Sequence, residues 1–517
     1  MGKIKIATAI DIGSSAVRMH ISQWDGKKIV ELDRLEKPSV IGKEAFSTGY
    51  ISYETVSTLS EALSGFSEKA HEYGITNIQV TASTALREAS NQAYILDHLA
   101  TRNNLDVRVL EDSEVSALIM NAMKGSENPE SSRVLHVYGG TGTIDFELVQ
   151  DGKTLLAHSI GTGLLKLTEM MREAADFSSY AETMQEQYLH IHLQRGNRIQ
   201  DLFEADAIVF GAADLQPFYR MSGIAASDGA GRIPGELLLQ LYESHHRMSL
   251  DQIGRQYGID AEQAGFLLAI LSLLTILMRL TGVGKIALKE INLADAMLGL
   301  MLQPGERRRY NESLKAGTIA AAMDLAARYG CDLVHSRYVA DTSLQLFQEL
   351  KGLHGLTKKH SHYLQVACIL HEAGYSTNSA LKIDSASFNL VRDVYMYGLC
   401  RRETLLCASI IAPHNLSGIA HVTSVADMLS REEALFTAKL HAIMRLTDIL
   451  DYSHRQKGRI CDVTLEGTRL VIGIRVCEDF TLEQLMFRQG QALFEEVFGI
   501  TPELRITRVT AQQEDET

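Results

Sequence analysis

Two short glycine turns constrain this chain more than any other feature, because each sits between apolar strand signals and each opens a new run of alternating strand and helix patterns. The first is Asp11-Ile12-Gly13-Ser14-Ser15, with Lys5–Ile12 and Val17–Gln23 reading as the two arms of a hairpin. The second is Gly139-Gly140-Thr141-Gly142-Thr143, with strand signals at Val134–Val137, Thr143–Val149 and Leu155–Ile160. Two halves that open alike predict a duplicated α/β fold closing on a central cleft.

Between the turns, Ser52–Tyr73 places Val56, Leu59, Leu63 and Phe66 at helical spacing, and Asn77–Ala82 is a second buried strand run. The polar stretch Gly125–Arg133 (GSENPESSR) marks a boundary, Glu306–Tyr310 reads as a charged hinge, and Asn311–Lys457 is helical in period throughout. The tail alternates at Val463/Leu465 and Leu470/Ile472/Ile474, then gives a helix over Leu482–Phe498 and a strand near Leu504–Thr507. The expected domains are therefore 1–124 and 125–305 (α/β), 306–458 (all-α) and 459–517 (a small ββαβ module), ending in a frayed acidic QQEDET.

A Gly-Ser turn at a strand end can aim backbone N–H groups and hydroxyls at a phosphate, and a carboxylate just before it can hold a cation against the same oxygens. Both turns follow a strand end and carry hydroxyls, and a carboxylate, Asp11, precedes the first. Between them Thr81-Ala82-Ser83-Thr84-Ala85-Leu86-Arg87 passes from strand to helix, where Arg87 can add a bidentate phosphate contact. In Leu110-Glu111-Asp112-Ser113-Glu114, carboxylates stand at the mouth of another helix, where one of them can orient and deprotonate a water.

Charge narrows the choice of partner. The chain has 50 Lys+Arg against 64 Asp+Glu, a net −14, so it has no overall positive field to gather nucleic acid or an anionic membrane. A polyanion can still be held locally, by N–H groups, hydroxyls, one arginine and a divalent cation. The six cysteines form no CxxC pair and are absent from the first 330 residues, which argues for a reducing compartment. The N-terminal MGKIKIATAIDIGSS reads as a strand rather than a signal peptide, and the apolar stretch Ala264–Met278 is too short to cross a bilayer, so a cytoplasmic protein is expected.

The order AIDIGSS, TASTALREASN, EDSEVSALIM, VYGGTGT and SIGTGLLKL resembles the exopolyphosphatase and guanosine pentaphosphate phosphohydrolase family of the actin-like (ribonuclease H-like) superfamily, over essentially the whole chain. The resemblance implies a dimeric phosphohydrolase that releases terminal phosphate from inorganic polyphosphate or guanosine pentaphosphate with Mg²⁺ (or Mn²⁺). It places Gly13, Ser14, Ser15, Arg87, Gly139, Gly140, Thr141, Gly142 and Thr143 on phosphate, Asp11 on the metal, and Glu114 as the catalytic glutamate. Two departures matter: Val137 stands where the family has a metal-holding Asp, and Ile144 where it has a Glu, with Asp145 one place along as the substitute metal ligand. These departures also admit a polyphosphate or alarmone sensor of the same fold with little turnover. In the helical domain, His335, the pair His371-Glu372 and Asp448 follow the order of an HD-type metal site, with Glu in place of the usual Asp.

Overall fold

The computed structural model describes residues 5–124, 133–164, 167–168, 204–225, 230–374, 383–394, 396–412 and 428–509. The polar stretch 125–132 and the acidic end fall outside them. The chain gathers into two compact units that divide between Ala320 and Ala321.

The first unit is built on two mixed sheets. In one, β1 (Lys5–Ile12), β2 (Ala16–Trp24), β3 (Ile29–Pro38), β4 (Ile78–Ala82) and β5 (Val107–Val109) run in the order β3-β2-β1-β4-β5. In the other, β6 (Arg133–Gly139), β7 (Ile144–Gln150), β8 (Lys153–Ile160), β9 (Ala207–Ala212), β10 (Ala230–Pro234) and β11 (Lys285–Glu290) run in the order β10-β11-β9-β6-β7-β8. Each sheet starts as an antiparallel three-strand meander, to which β4 and β5, or β9 and β11, add in parallel. Only the edge strand β10 breaks the correspondence. The repeated path is the duplication that the paired turns predict, and each turn joins the first two strands of its meander.

Burial explains why these runs become strands. The last six residues of β1 are all buried, as are the last six of β6, which is the near-continuous pattern of strands covered on both faces. Val56, Leu59, Leu63 and Phe66 lie, as their spacing predicts, on one face of the helix Tyr53–Glu72 and pack on Ile10, Met19 and Val80. Ser52 caps that helix by accepting the Thr55 N–H.

The apolar stretch near 270 differs from expectation in length. Asp260 and Gln263 form a capping box and Gly282 ends the helix at φ 71°, so the helix runs Ala261–Thr281, 21 residues. By length and composition it could span a membrane, but 78% of its most apolar window is buried inside the unit, against Phe146, Phe210 and their neighbours. The residues expected to form a charged hinge are also helical: Glu306–Arg309 and Arg308–Glu312 pair at three- and four-residue spacing within the helix Glu306–Arg328, so the charges support it. The helix Leu293–Leu302 returns to the first sheet, where Asp295 Oδ1 meets His20 Nδ1 at 2.6 Å, tying the two halves together.

The second unit begins with helices that include Leu333–Glu349, Lys358–Leu370, Arg401–Ile411 and Arg431–Ile449. It ends with β12 (Gly458–Glu466), β13 (Arg469–Val476), the helix Thr481–Phe498 and β14 (Thr501–Arg508), with β13 between an antiparallel β12 and a parallel β14. The buried Glu483 takes Lys457 Nζ at 3.0 Å, which anchors this end to the turn after the last bundle helix.

Candidate functional site

The two turns line one cleft. A cavity of about 550 Å³ in the first unit is bordered by Gly13, Ser14 and Ser15 on one side and by Gly139 to Thr143 on the other, with Asp11, Arg18, Asp112 and Tyr138 between. Each turn is backed by a glycine at a distance no side chain would permit. A Cβ on Gly42 would lie 2.6 Å from Ser14 Cβ, and one on Gly163 would lie 2.2 Å from the Thr141 carbonyl oxygen.

The first turn presents open polar atoms. Asp11 Oδ1 and Ser14 Oγ are buried with no hydrogen-bond partner, which is the state of groups shaped for a ligand. Burial pushes the Asp11 carboxyl up to about 6, against the opposing pull of Arg18 and His20. Arg18 faces Asp11 across the hairpin and binds Glu36 Oε1 at 3.1 Å on the next strand. Six carboxylates (Asp11, Glu36, Asp112, Asp214, Asp260 and Glu262) line the cleft against one basic side chain, Arg18, among the described residues. A phosphate chain in that field needs accompanying cations.

Several expected site residues take other positions. Glu114 is not in the cleft lining: its carboxylate pairs with Arg108 and accepts the Glu111 N–H at 3.2 Å, completing a capping box. Helical geometry gives the reason. At 100° per residue, Glu114 lies about 200° around the helix from Asp112, whereas Val115 and Ser116 return to the Asp112 face, and Asp112, Val115 and Ser116 are the three that line the cleft. Asp112 is held there by Thr84 Oγ1 at 2.8 Å and by Arg87 Nη2 at 2.6 Å. Arg87 spends a second donor on the Leu110 carbonyl at 2.9 Å and does not line the cleft, so in this structure it holds Asp112 in place. Gly142 comes so close that a Cβ there would lie 3.2 Å from Asp112 Oδ1, which sets this carboxylate against the second turn.

Asp145, expected as a substitute metal ligand, does not border the cleft. Val137 and Ile144 point into the second core, where both are fully buried, and alternation along the strand turns Asp145 to the opposite face. There Ser116 and Thr143 donate to its Oδ2 at 2.5 and 2.8 Å and Ser159 to its Oδ1 at 2.5 Å, so its oxygens are already engaged. Burial pushes it up to about 6 despite those three hydroxyls. Thr81, expected at the strand end, is buried and donates to the Ile10 carbonyl at 3.3 Å, while Ser83 and Thr84 border the cleft.

In the second unit the expected histidines do meet. His335 Nε2 and His371 Nε2 lie 3.3 and 3.4 Å from the same atom, Asp448 Oδ1. Glu372 belongs to a neighbouring group with His335 and His454, whose ring stacks on His335 at 3.8 Å. Asp451, which binds His335 Nδ1 at 2.8 Å, and His454 were not signalled by the motif spacing; so too in the cleft, Arg18 was missed, although hairpin register alone pairs it with Asp11.

Two family models match this chain. A model described as the Ppx/GppA phosphatase family matches residues 21–275, and one for Ppx/GppA phosphatase domain III matches residues 319–488. Similar solved structures include a Ppx/GppA family member from Aquifex aeolicus, at 16% identity and TM-score 0.49, covering 58% of this chain and 97% of that one. An exopolyphosphatase from Cytophaga hutchinsonii aligns at 16% identity and TM-score 0.49, covering 57% and 97%. With two family models matching in sequence order over most of its length, the chain belongs to the Ppx/GppA phosphatase family.

Proposed function

We propose that the cleft releases terminal orthophosphate from a phosphate chain, either inorganic polyphosphate or guanosine pentaphosphate. The observation that carries this reading is the pair of glycine turns facing across one cleft, with Asp11 Oδ1 and Ser14 Oγ buried and unpartnered. The hydroxyls of Ser14, Ser15 and Thr141 and the turn N–H groups would hold the phosphates, the Thr143 hydroxyl being already donated to Asp145, and Arg18 would add the one cationic side chain among the described lining residues.

The donor set fits a divalent ion. An orphaned carboxylate oxygen in a cleft where carboxylates outnumber cations is a hard-oxygen site, and Asp11 would hold Mg²⁺ or Mn²⁺ there. Such an ion, when bound, neutralises the phosphate oxygens and the charge that builds on them during transfer. Asp112 takes the role that resemblance gives to Glu114. Fixed by Arg87 and Thr84 against the second turn, it would orient a water toward the terminal phosphorus and accept its proton. The new P–O bond forms from that water, the bridging P–O bond breaks, and its electron pair leaves on the shortened chain.

A second reading, a sensor that binds the same ligands with little turnover, is favoured by Val137 and Ile144 lying in the core and by Val115 lining the cleft. Phosphate release measured with both substrates and Mg²⁺ or Mn²⁺, beside calorimetry, separates the two. Release supports the hydrolase, tight binding without release supports the sensor, and neither binding nor release defeats both.

A further inference from the structure

The histidine cluster of the second unit has a feature that hydrogen bonding within the protein does not resolve. His371 Nδ1 lies 2.7 Å from the Cys368 carbonyl oxygen, which can only accept, so this nitrogen carries a proton and in the neutral imidazole Nε2 presents a lone pair. His335 Nδ1 lies 2.8 Å from Asp451 Oδ2, and that carboxylate also accepts the Gln456 backbone N–H at 2.5 Å and its side-chain amide at 2.7 Å. An acceptor so used holds a proton on His335 Nδ1, and in the neutral imidazole Nε2 again presents a lone pair. Both Nε2 atoms are buried without a hydrogen-bond partner, and both face Asp448 Oδ1, a third acceptor. Three electron-rich atoms held this close repel one another unless positive charge sits among them.

The spacing suits a metal ion. Two ligands each about 2.1 Å from one ion stand roughly 3.0 Å apart in cis-octahedral geometry and roughly 3.4 Å apart in tetrahedral geometry. The observed 3.3 and 3.4 Å fall in that range. Every ligand is also braced through its remaining polar atom: His335 by Asp451, His371 by the Cys368 carbonyl, and Asp448 by Arg445 Nη1 at 3.0 Å on its Oδ2. Braced ligands whose only open atoms converge on one point are the arrangement that outer-shell partners impose on metal sites. His335 has no exposure, but the Asp448 side chain is 19% exposed and gives solvent a route to the centre.

We propose that His335 Nε2, His371 Nε2 and Asp448 Oδ1 bind a first-row transition-metal dication in the second unit, with its remaining positions open to water or an oxyanion. Two imidazoles select Zn²⁺, Co²⁺ or Mn²⁺ over Mg²⁺, which favours all-oxygen sites. The site stands independently of the cleft reading, because none of its ligands borders the cleft.

The test uses the full-length protein titrated with Co²⁺ in the presence of excess Mg²⁺, read by the visible absorption of histidine-bound Co²⁺ and by metal content after desalting. The expected result is a single saturating absorption band that His371→Gln and Asp448→Asn each abolish and that Asp11→Asn leaves intact. Asp451→Asn, which removes the brace on His335, should keep the band and weaken Co²⁺ affinity roughly 10- to 100-fold. In parallel, Zn²⁺ should raise the unfolding temperature of the wild type and not that of Asp448→Asn, a partly exposed change that keeps the shape of the side chain. Absence of a band in the wild type, or a band unchanged in both ligand variants, would overturn the proposal and leave protonated imidazoles as the positive charge among these atoms.

Discussion

The two glycine turns occupy equivalent places in duplicated sheets, yet they carry different chemistry. The first follows a strand that delivers Asp11 to the cleft with one oxygen open, beside an unpartnered Ser14 hydroxyl. The second follows a strand whose corresponding residue, Val137, is built into the core, while Asp145, the next carboxylate in sequence, is turned to the other face and satisfied by three hydroxyls. What the second turn offers the cleft is backbone, two threonines and contact with Asp112. Duplication thus fixes where the two glycine turns stand, and side-chain alternation decides which of them presents a carboxylate to the cleft.

Forcing the second half to imitate the first should have the largest effect. Val137→Asp places a carboxylate among Phe146, Phe210 and their neighbours, so it should destabilise the first unit by on the order of 4 kcal/mol, the cost of an uncompensated buried charge, with no gain in phosphate release. Denaturant unfolding beside a release assay checks it. A stable variant with raised activity would mean that the strand can present residue 137 to the cleft.

A second effect concerns Asp145. Its folded-state pKa of about 6 lies above the ordinary 3.8, so the folded state holds the proton more tightly than the unfolded chain does. That stabilisation is complete below about pH 4 and is lost as pH rises through 6, amounting at most to roughly 3 kcal/mol. Asp145→Asn should flatten this part of the stability profile by its share, leaving the similar contribution of Asp11. An unchanged slope between pH 4 and 6 would show that Asp145 ionises as freely folded as unfolded.

The glycines behind the turns predict a smaller, paired effect. Gly42→Ala and Gly163→Ala should each cost about 1–3 kcal/mol and weaken phosphate binding, because the added methyl displaces the turn it meets. Calorimetry on both variants asks whether the two turns contribute alike. Loss confined to Gly42→Ala would mean that the first turn alone holds the ligand. Smallest of all should be the effect of moderate salt on binding, compared with collapse on chelation, since the overall charge of −14 leaves no positive field for salt to screen.

The sequence shows some of this and hides the rest for identifiable reasons. The strand–turn–strand repeats were legible because they are local: apolar runs broken by Gly-Ser or Gly-Gly-Thr need no tertiary information. Which carboxylate of Glu111, Asp112 and Glu114 faces the cleft was not legible, because it depends on how the helix Asp112–Met123 is rotated against β6 and β7. A resemblance that matches position by position assigned Glu114, and helix rotation hands the cleft to Asp112. Arg87 was likewise visible as a cation at a strand end, but its partner across the chain, Asp112, uses the guanidinium before any phosphate can. The histidine cluster was foreshadowed by spacing alone, whereas the braces that fix its tautomers, Asp451 and the Cys368 carbonyl, come from chain folding.

On the proposed reading Asp112, seated by Arg87 against the second turn, and not Glu114, acts on the water in this cleft. Orthophosphate release from polyphosphate and from guanosine pentaphosphate, measured with Mg²⁺ for Asp112→Asn and Glu114→Gln side by side, tests it most directly. Asp112→Asn should lower kcat by roughly 10²- to 10⁴-fold, the range for loss of a general base, while Glu114→Gln should stay within about threefold of wild type and lose less than about 1 kcal/mol of stability as a weakened helix cap. A Glu114→Gln enzyme that binds substrate normally and releases no phosphate, beside an active Asp112→Asn, would contradict it.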